Sequence, residues 1–217
     1  MSPRIPRTFP IVTGAFAAMA LFYAGCSAGD FPDDTMKADA APPPGTPDAA
    51  PPAEGPSTLP FAVDDWFGPS GYMGDGESPG GIKDATVCAS PRPDTWLGHC
   101  HQFTWTPGAQ MWAGVFWQGP DHNWGDLPGL VIPAGATKVT FEAWGSVGGE
   151  KVNFGVGMMA VDHFEAKLEG VVLTTTPTEY TIDLSSASYG RVVGGFSWAA
   201  DGSTVPVIFN VDDIRWQ

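Results

Sequence analysis

Ala136-Thr-Lys-Val-Thr-Phe-Glu-Ala-Trp144 alternates with a period of two. Val139, Phe141 and Ala143 share one face; Lys138, Thr140, Glu142 and Trp144 share the other. Successive side chains of an extended chain point to opposite sides, so this is a strand with one face toward a core. The flanking sequence repeats the pattern. Lys151-Val-Asn-Phe-Gly-Val-Gly157 places Val152, Phe154 and Val156 together, and Thr178-Glu-Tyr-Thr-Ile-Asp-Leu184 does so with Tyr180, Ile182 and Leu184. Further strands are expected at 100–106, 111–118, 191–199 and 205–216. Gly119-Pro120, Gly148-Gly149 and Asp201-Gly202 separate them as turns. Only Ala160 to Leu168 has a helical pattern, and it is short. Many short strands with regular turn signals predict an all-β fold, an antiparallel β-sandwich, over residues 61–217.

Composition agrees. The 217-residue chain carries 28 Gly and 22 Pro, which argues against a helical bundle. All nine Trp lie within 61–217, a segment long enough for one core. The net charge of −14 excludes nucleic-acid binding through phosphate neutralisation. It also favours neutral or cationic partners over polyanionic ones.

The first 60 residues read differently. Arg4 and Arg7 precede an uncharged apolar run from Ile11 to Ala24, the pattern of an export signal. The run ends in Tyr23-Ala24-Gly25-Cys26, which resembles the lipobox of bacterial lipoproteins, with Tyr23 where an aliphatic residue is usual. The resemblance implies removal of residues 1–25, lipidation of Cys26 and residence in the cell envelope. Ser27 after Cys26 is compatible with the outer membrane by the same resemblance. Residues 26–60 are rich in Pro, Ala and Asp, with Phe31 the only aromatic residue. Such a segment buries too little apolar surface to offset the entropy of ordering, and reads as a tether. Export also bears on the remaining thiols. Cys88 and Cys100 close a short loop, and two cysteines in an oxidising compartment are expected to pair.

Within 61–217, an opening strand Phe61-Ala-Val-Asp-Asp-Trp-Phe67 and a closing strand Val207-Ile-Phe-Asn-Val-Asp-Asp-Ile-Arg-Trp216 bracket Trp112–Gln118, Asn123-Trp-Gly125, Gly135–Phe141 and Tyr180–Leu184. This order resembles the galactose-binding-domain-like jelly rolls, which include many carbohydrate-binding modules. The resemblance implies a jelly roll of eight to ten strands whose termini lie close together. It also implies a structural Ca²⁺ where the terminal strands meet. The acidic pairs Asp64-Asp65 and Asp212-Asp213 fall there, with Asp65 and Asp213 as the expected ligands.

The tryptophans are the strongest functional signal. Trp144 shares the polar face of its strand, Trp124 lies in a turn-rich stretch, and Trp117 adjoins Gln118 and a Gly-Pro turn. An exposed indole stacks on the C–H face of a pyranose while neighbouring amides and carboxylates bind hydroxyls. Trp117, Trp124 and Trp144, with Asn123, Gln118 and Glu142, are therefore the candidate ligand-binding residues. The parity of 111–118 is open: either Val115 and Trp117 or Trp112 and Phe116 face inward. The signals for catalysis are thin. Gly195-Phe-Ser-Trp-Ala lacks the final Gly of a nucleophile elbow, and acidic pairs occur on any sandwich this acidic. The expectation is a non-enzymatic lipoprotein whose head binds glycan. The alternatives are an envelope scaffold that contacts protein and, further off, a small extracellular glycoside hydrolase.

Overall fold

The computed structural model describes residues 54–86 and 92–217. The export signal, Cys26, most of the tether and Cys88 lie outside the described residues.

Thirteen strands run among the described residues: β1 (Phe61–Ala62), β2 (Gly68–Gly74), β3 (Ile82–Ala85), β4 (His101–Trp105), β5 (Trp112–Gln118), β6 (Leu130–Val131), β7 (Lys138–Gly145), β8 (Lys151–Val156), β9 (Ala166–Val172), β10 (Thr178–Asp183), β11 (Arg191–Val192), β12 (Gly194–Asp201) and β13 (Val207–Trp216). Every pairing is antiparallel. One sheet has the order β10-β7-β13-β4-β3, with β1 added on β13. The second has the order β2-β5-β12-β8-β9, and β11-β6 form a small ribbon. The two large sheets enclose the core as a β-sandwich.

The alternation read from sequence builds that core. Val139, Phe141 and Ala143 of β7 are buried, as are Val152, Phe154 and Val156 of β8. Phe103, Trp105, Phe196, Trp198, Phe209 and Trp216 join them, each at most 1% exposed. Several of their rings meet edge-on or tilted, as Phe103 does on Trp117 (centroids 5.5 Å, 77°) and Trp198 on Phe209 (5.0 Å, 86°). Such geometries favour aromatic pairs beyond the area they bury.

Two expected elements differ. The opening strand 61–67 pairs only through Phe61↔Trp216 and Ala62↔Arg215. Residues Val63–Asp65 then turn in a 3₁₀ helix, which directs the Asp64 carboxylate to donors on three other segments, as described below. The helical stretch 160–168 holds only a four-residue helix, α1 (Met159–Asp162). His163, at φ 61°, ends it, and the chain continues into β9. There the edge of β8 outweighs the local helical pattern. At the N-terminal side the packed structure begins before Phe61: Pro56 is buried, and Gly55 lies against the Val131 backbone with no room for a side chain.

β13 carries one irregularity. Asp212 pairs with Glu142 and Arg215 with Thr140, so three steps of β13 span two of β7. Asp213, at φ 53°, occupies this bulge. The extra residue resets the alternation so that Ile214 and Trp216 both face the core.

Candidate functional site

β5 settles its own parity. Ala113, Val115 and Trp117 are each 0% exposed and face the core. Trp112, Gly114, Phe116 and Gln118 therefore point away from it. Cross-strand partners share a face, so the outer surface of this sheet can be read from register. One row is Gly71, Phe116, Ser197, Gly155 and Lys167; the next is Met73, Gly114, Ala199 and Asn153. Small residues thus floor the middle of the face. A Cβ on Gly114 would lie 2.8 Å from the Trp198 carbonyl oxygen, so the floor cannot rise there. Trp112 and Phe116 stand about 13 Å apart along β5. Trp124 completes the aromatic side, 45% exposed and edge-on to Phe116 (6.2 Å, 84°). Across the floor are Asn153 and the Lys167–Glu165 ion pair (2.8 Å).

The turns at both ends of β5 are held by buried polar groups. Asp75 is 4% exposed and accepts hydrogen bonds from the Gly108 and Gln110 amides (2.7 and 2.8 Å) and the Trp105 indole (3.4 Å). Burial raises its pKa, but those donors outweigh burial and hold the carboxyl below its ordinary range. This fixes the turn that enters Trp112. Asn123, 3% exposed, donates to the Leu127 carbonyl (2.9 Å) and accepts from the Gly125 and Leu127 amides (3.0 and 3.1 Å). Ser70 Oγ accepts from the His122 amide (2.9 Å) and donates to Gln118 Oε1 (3.3 Å). Met111 and His122, flanking β5, hold left-handed backbone at φ 59° and 58°. Such conformations persist in non-glycine residues only where the surroundings enforce them.

The residues singled out from sequence therefore divide. Trp124 is exposed on this face. Trp117, expected at the surface, is a core residue, because parity turns it inward. Gln118 and Asn123 are on the right elements but buried, and their amides hold the turn that carries Trp124. Trp144 and Glu142 lie on the outer face of the other sheet. Trp144 is only 6% exposed because Trp96 covers it (6.2 Å, 43°). Glu142 sits opposite Glu179 and Asp212. Burial, then the charges of Glu179, Asp213 and Asp212, raises its pKa. Trp112 and Phe116, one of the two alternatives that the parity of 111–118 leaves open, are the outward pair. Gly114 between them was the available signal, since a glycine inside a strand marks a close approach at that face.

The segment over Trp144 is pinned by Arg92. Its guanidinium reaches both Asp212 oxygens (2.8 and 2.7 Å) and the carbonyls of Trp96, Leu97 and Gly98. The Arg215 guanidinium reaches both Asp213 oxygens (2.5 and 2.7 Å), and the Leu97 amide donates to Asp213 Oδ1 (2.7 Å). A carboxylate so occupied by a cation does not suit Ca²⁺, and Asp65 is exposed without a companion. Among the described residues, no three His, Cys, Asp or Glu side chains are placed to hold a metal ion. Asp65 and Asp213 thus do not fit the calcium that the resemblance implies.

Inside the sandwich, Asp64 accepts from the Trp117 indole (2.8 Å) and the His99 amide (2.8 Å). His101 lies between two carboxylates, with Nδ1 2.9 Å from Asp84 and Nε2 3.2 Å from Asp64. Burial alone would lower the imidazole pKa, but hydrogen bonds and charge from Asp64 and Asp84 raise it to about 9. Asp64 moves down: burial raises it, and the bond and charge of His101 outweigh that.

No family model and no curated protein matches this chain. Solved structures of similar shape do. A family 30 carbohydrate-binding module of a cellulosomal cellulase of Clostridium thermocellum superposes with a TM-score of 0.47 at 14% identity, covering 74% of this chain and 98% of that one. A family 11 module from the same organism, in complex with a β-1,3-1,4-mixed-linked tetrasaccharide, gives 0.40 at 13%, covering 63% and 83%. A family 29 module variant complexed with cellulohexaose gives 0.36 at 11%, covering 73% and 89%. These three structures are carbohydrate-binding modules. By its own strand order this chain is an antiparallel jelly-roll β-sandwich.

Proposed function

We propose that this protein is a non-catalytic, lipid-anchored envelope protein whose sandwich head binds a glycan chain across the outer face of the β2-β5-β12-β8-β9 sheet. The observation that carries the reading is the aromatic side of that face, Trp112, Phe116 and Trp124, beside a floor of Gly114, Ser197, Ala199 and Gly155. The rings stack on sugar C–H faces; Asn153, Ser197 and Lys167 supply hydrogen bonds to hydroxyls. Enforced backbone at Met111 and His122 keeps the rings in place before ligand arrives, which limits the entropy lost on binding. The acidic surface favours neutral or cationic glycans.

Affinity measurements of the full chain against a panel of soluble and insoluble polysaccharides test this. Trp112→Ala and Trp124→Ala should each weaken binding about tenfold or more. Trp144→Ala, on the opposite face, should leave it unchanged. Unaltered affinity in both platform variants would sink the site. No binding to any glycan by a cooperatively melting protein would favour a protein partner instead.

Cys26 is assigned the lipid, and Cys88 and Cys100 a disulfide that closes the segment preceding β4. In the chain-entropy account a loop this short stabilises by about 3 kcal/mol. Reduction should therefore lower the melting temperature by several degrees; identical melting with and without reductant would remove the disulfide.

A further inference from the structure

Four segments converge on one buried polar cluster behind the binding face. Asp64 comes from the 3₁₀ turn after β1, Asp84 from β3, His101 from β4 and Trp117 from β5. His101 is 5% exposed, stacked on Phe103 (5.7 Å) and edge-on to Trp117 (5.2 Å). Both of its ring nitrogens face carboxylate oxygens, an arrangement in which an imidazolium donates to each ionised partner. Two other titratable groups act on its partners. Tyr72, from β2, lies close enough to Asp84 to feel its charge, and the Arg92 cation acts on Asp64.

The cluster is coupled to the face outside. The Asp64 oxygen that receives His101 Nε2 is the same Oδ1 that receives the Trp117 indole N–H. Trp117 is flanked in β5 by Phe116 and Gln118, both on the outer face, with Trp112 further along. Nothing else among the described residues accepts a hydrogen bond from that indole.

We propose that His101 and Asp64 are positioning residues for the glycan face: the imidazolium fixes Asp64, Asp64 fixes Trp117, and Trp117 sets β5 so that Phe116 and Trp112 stand correctly outside. This rests on the reading of the outer face given above. Loss of the imidazolium proton leaves two facing carboxylates without the cation between them, and the support beneath β5 weakens. The folded-state pKa of His101 is raised, so its contribution is complete below about 6.5 and is lost as pH rises through about 9. The head should therefore loosen in alkali, from the inside of β5 outward.

The test uses the full chain labelled with 5-fluorotryptophan, titrated from pH 6 to 10.5. Fluorine spectra follow Trp117 and Trp112 separately, and amide exchange follows residues 113–118. Both resonances should move with one midpoint near pH 9, protection of the β5 amides should fall about tenfold after correction for intrinsic rates, and melting should drop by roughly 5–10 °C between pH 7 and pH 10. His101→Gln should abolish the midpoint. Trp117→Phe, which keeps a ring and removes the donor, should uncouple Trp112 from the titration. Movement of Trp117 alone, with Trp112 and β5 exchange unchanged, would overturn the proposal, as would a flat wild-type profile. A parallel arm measures binding of mixed-linked β-glucan over the same range. Weakening with the same midpoint supports the link to ligand. Binding that stays constant through the midpoint breaks it. Absence of β-glucan binding at pH 7 counts against the ligand reading only, because the fluorine and exchange readouts need no ligand.

Discussion

Trp216→Ala should destabilise the head by about 4 kcal/mol, in the range of large aromatic truncations in a core. Trp216 is 0% exposed, stacks on Phe61 (6.0 Å, 16°) and meets Tyr189 edge-on (5.3 Å, 83°). Its indole N–H donates to the Gly195 carbonyl (2.9 Å), which ties β13 of one sheet to β12 of the other. Alanine removes three effects at once: the buried area, the ring contacts that hold the short β1, and the donor to a buried carbonyl. Thermal melting should fall by about 8–16 °C for a domain of this size. Trp216→Phe keeps most of the area and loses the hydrogen bond, so its cost should be about 1–2 kcal/mol. Equal losses in the two variants would show that packing contributes little there.

Arg92→Ala should cost about 3 kcal/mol, a value typical of breaking a buried ion pair from one side. The Asp212 side chain is 0% exposed, whereas that of Arg92 is 31% exposed. The planar guanidinium grips both carboxylate oxygens and gathers three carbonyls of the 96–98 turn. Without it, a buried carboxylate faces the Glu142–Glu179 pair and loses its guanidinium. The Trp96 cover should lift, and Trp144 fluorescence should shift to the red. Arg92→Lys keeps the charge and loses the fork, so it should recover less than half of the loss. Denaturant midpoints for the three proteins check the order. A midpoint for Arg92→Ala equal to that of the unmodified protein would show that the strap is held by other contacts.

Strand alternation made the sandwich legible, because each central strand has one apolar face. Val139, Phe141 and Ala143 could be read as core without any structure, and so could Val152, Phe154 and Val156. β5 could not be read this way. Both of its faces carry aromatic residues, one for the core and one for the outer platform, so hydrophobicity does not distinguish them. The closing strand hid a second difficulty. Strict alternation after Val211 would send Asp213 and Arg215 into the core, and only the bulge removes that conflict. Trp144 was placed on the correct face, yet its cover comes from Trp96, 48 residues earlier in the chain. No local pattern reports a contact of that separation. The buried cluster at His101 was invisible for the same reason, since Asp64, Asp84 and Trp117 meet it from three different segments.

The pairing of Phe61 with Trp216 has a consequence for how such a head is joined to other modules. The first and last strands are hydrogen-bonded neighbours in the sheet opposite Trp112 and Phe116, so what is joined at one end of the sandwich starts near the other end.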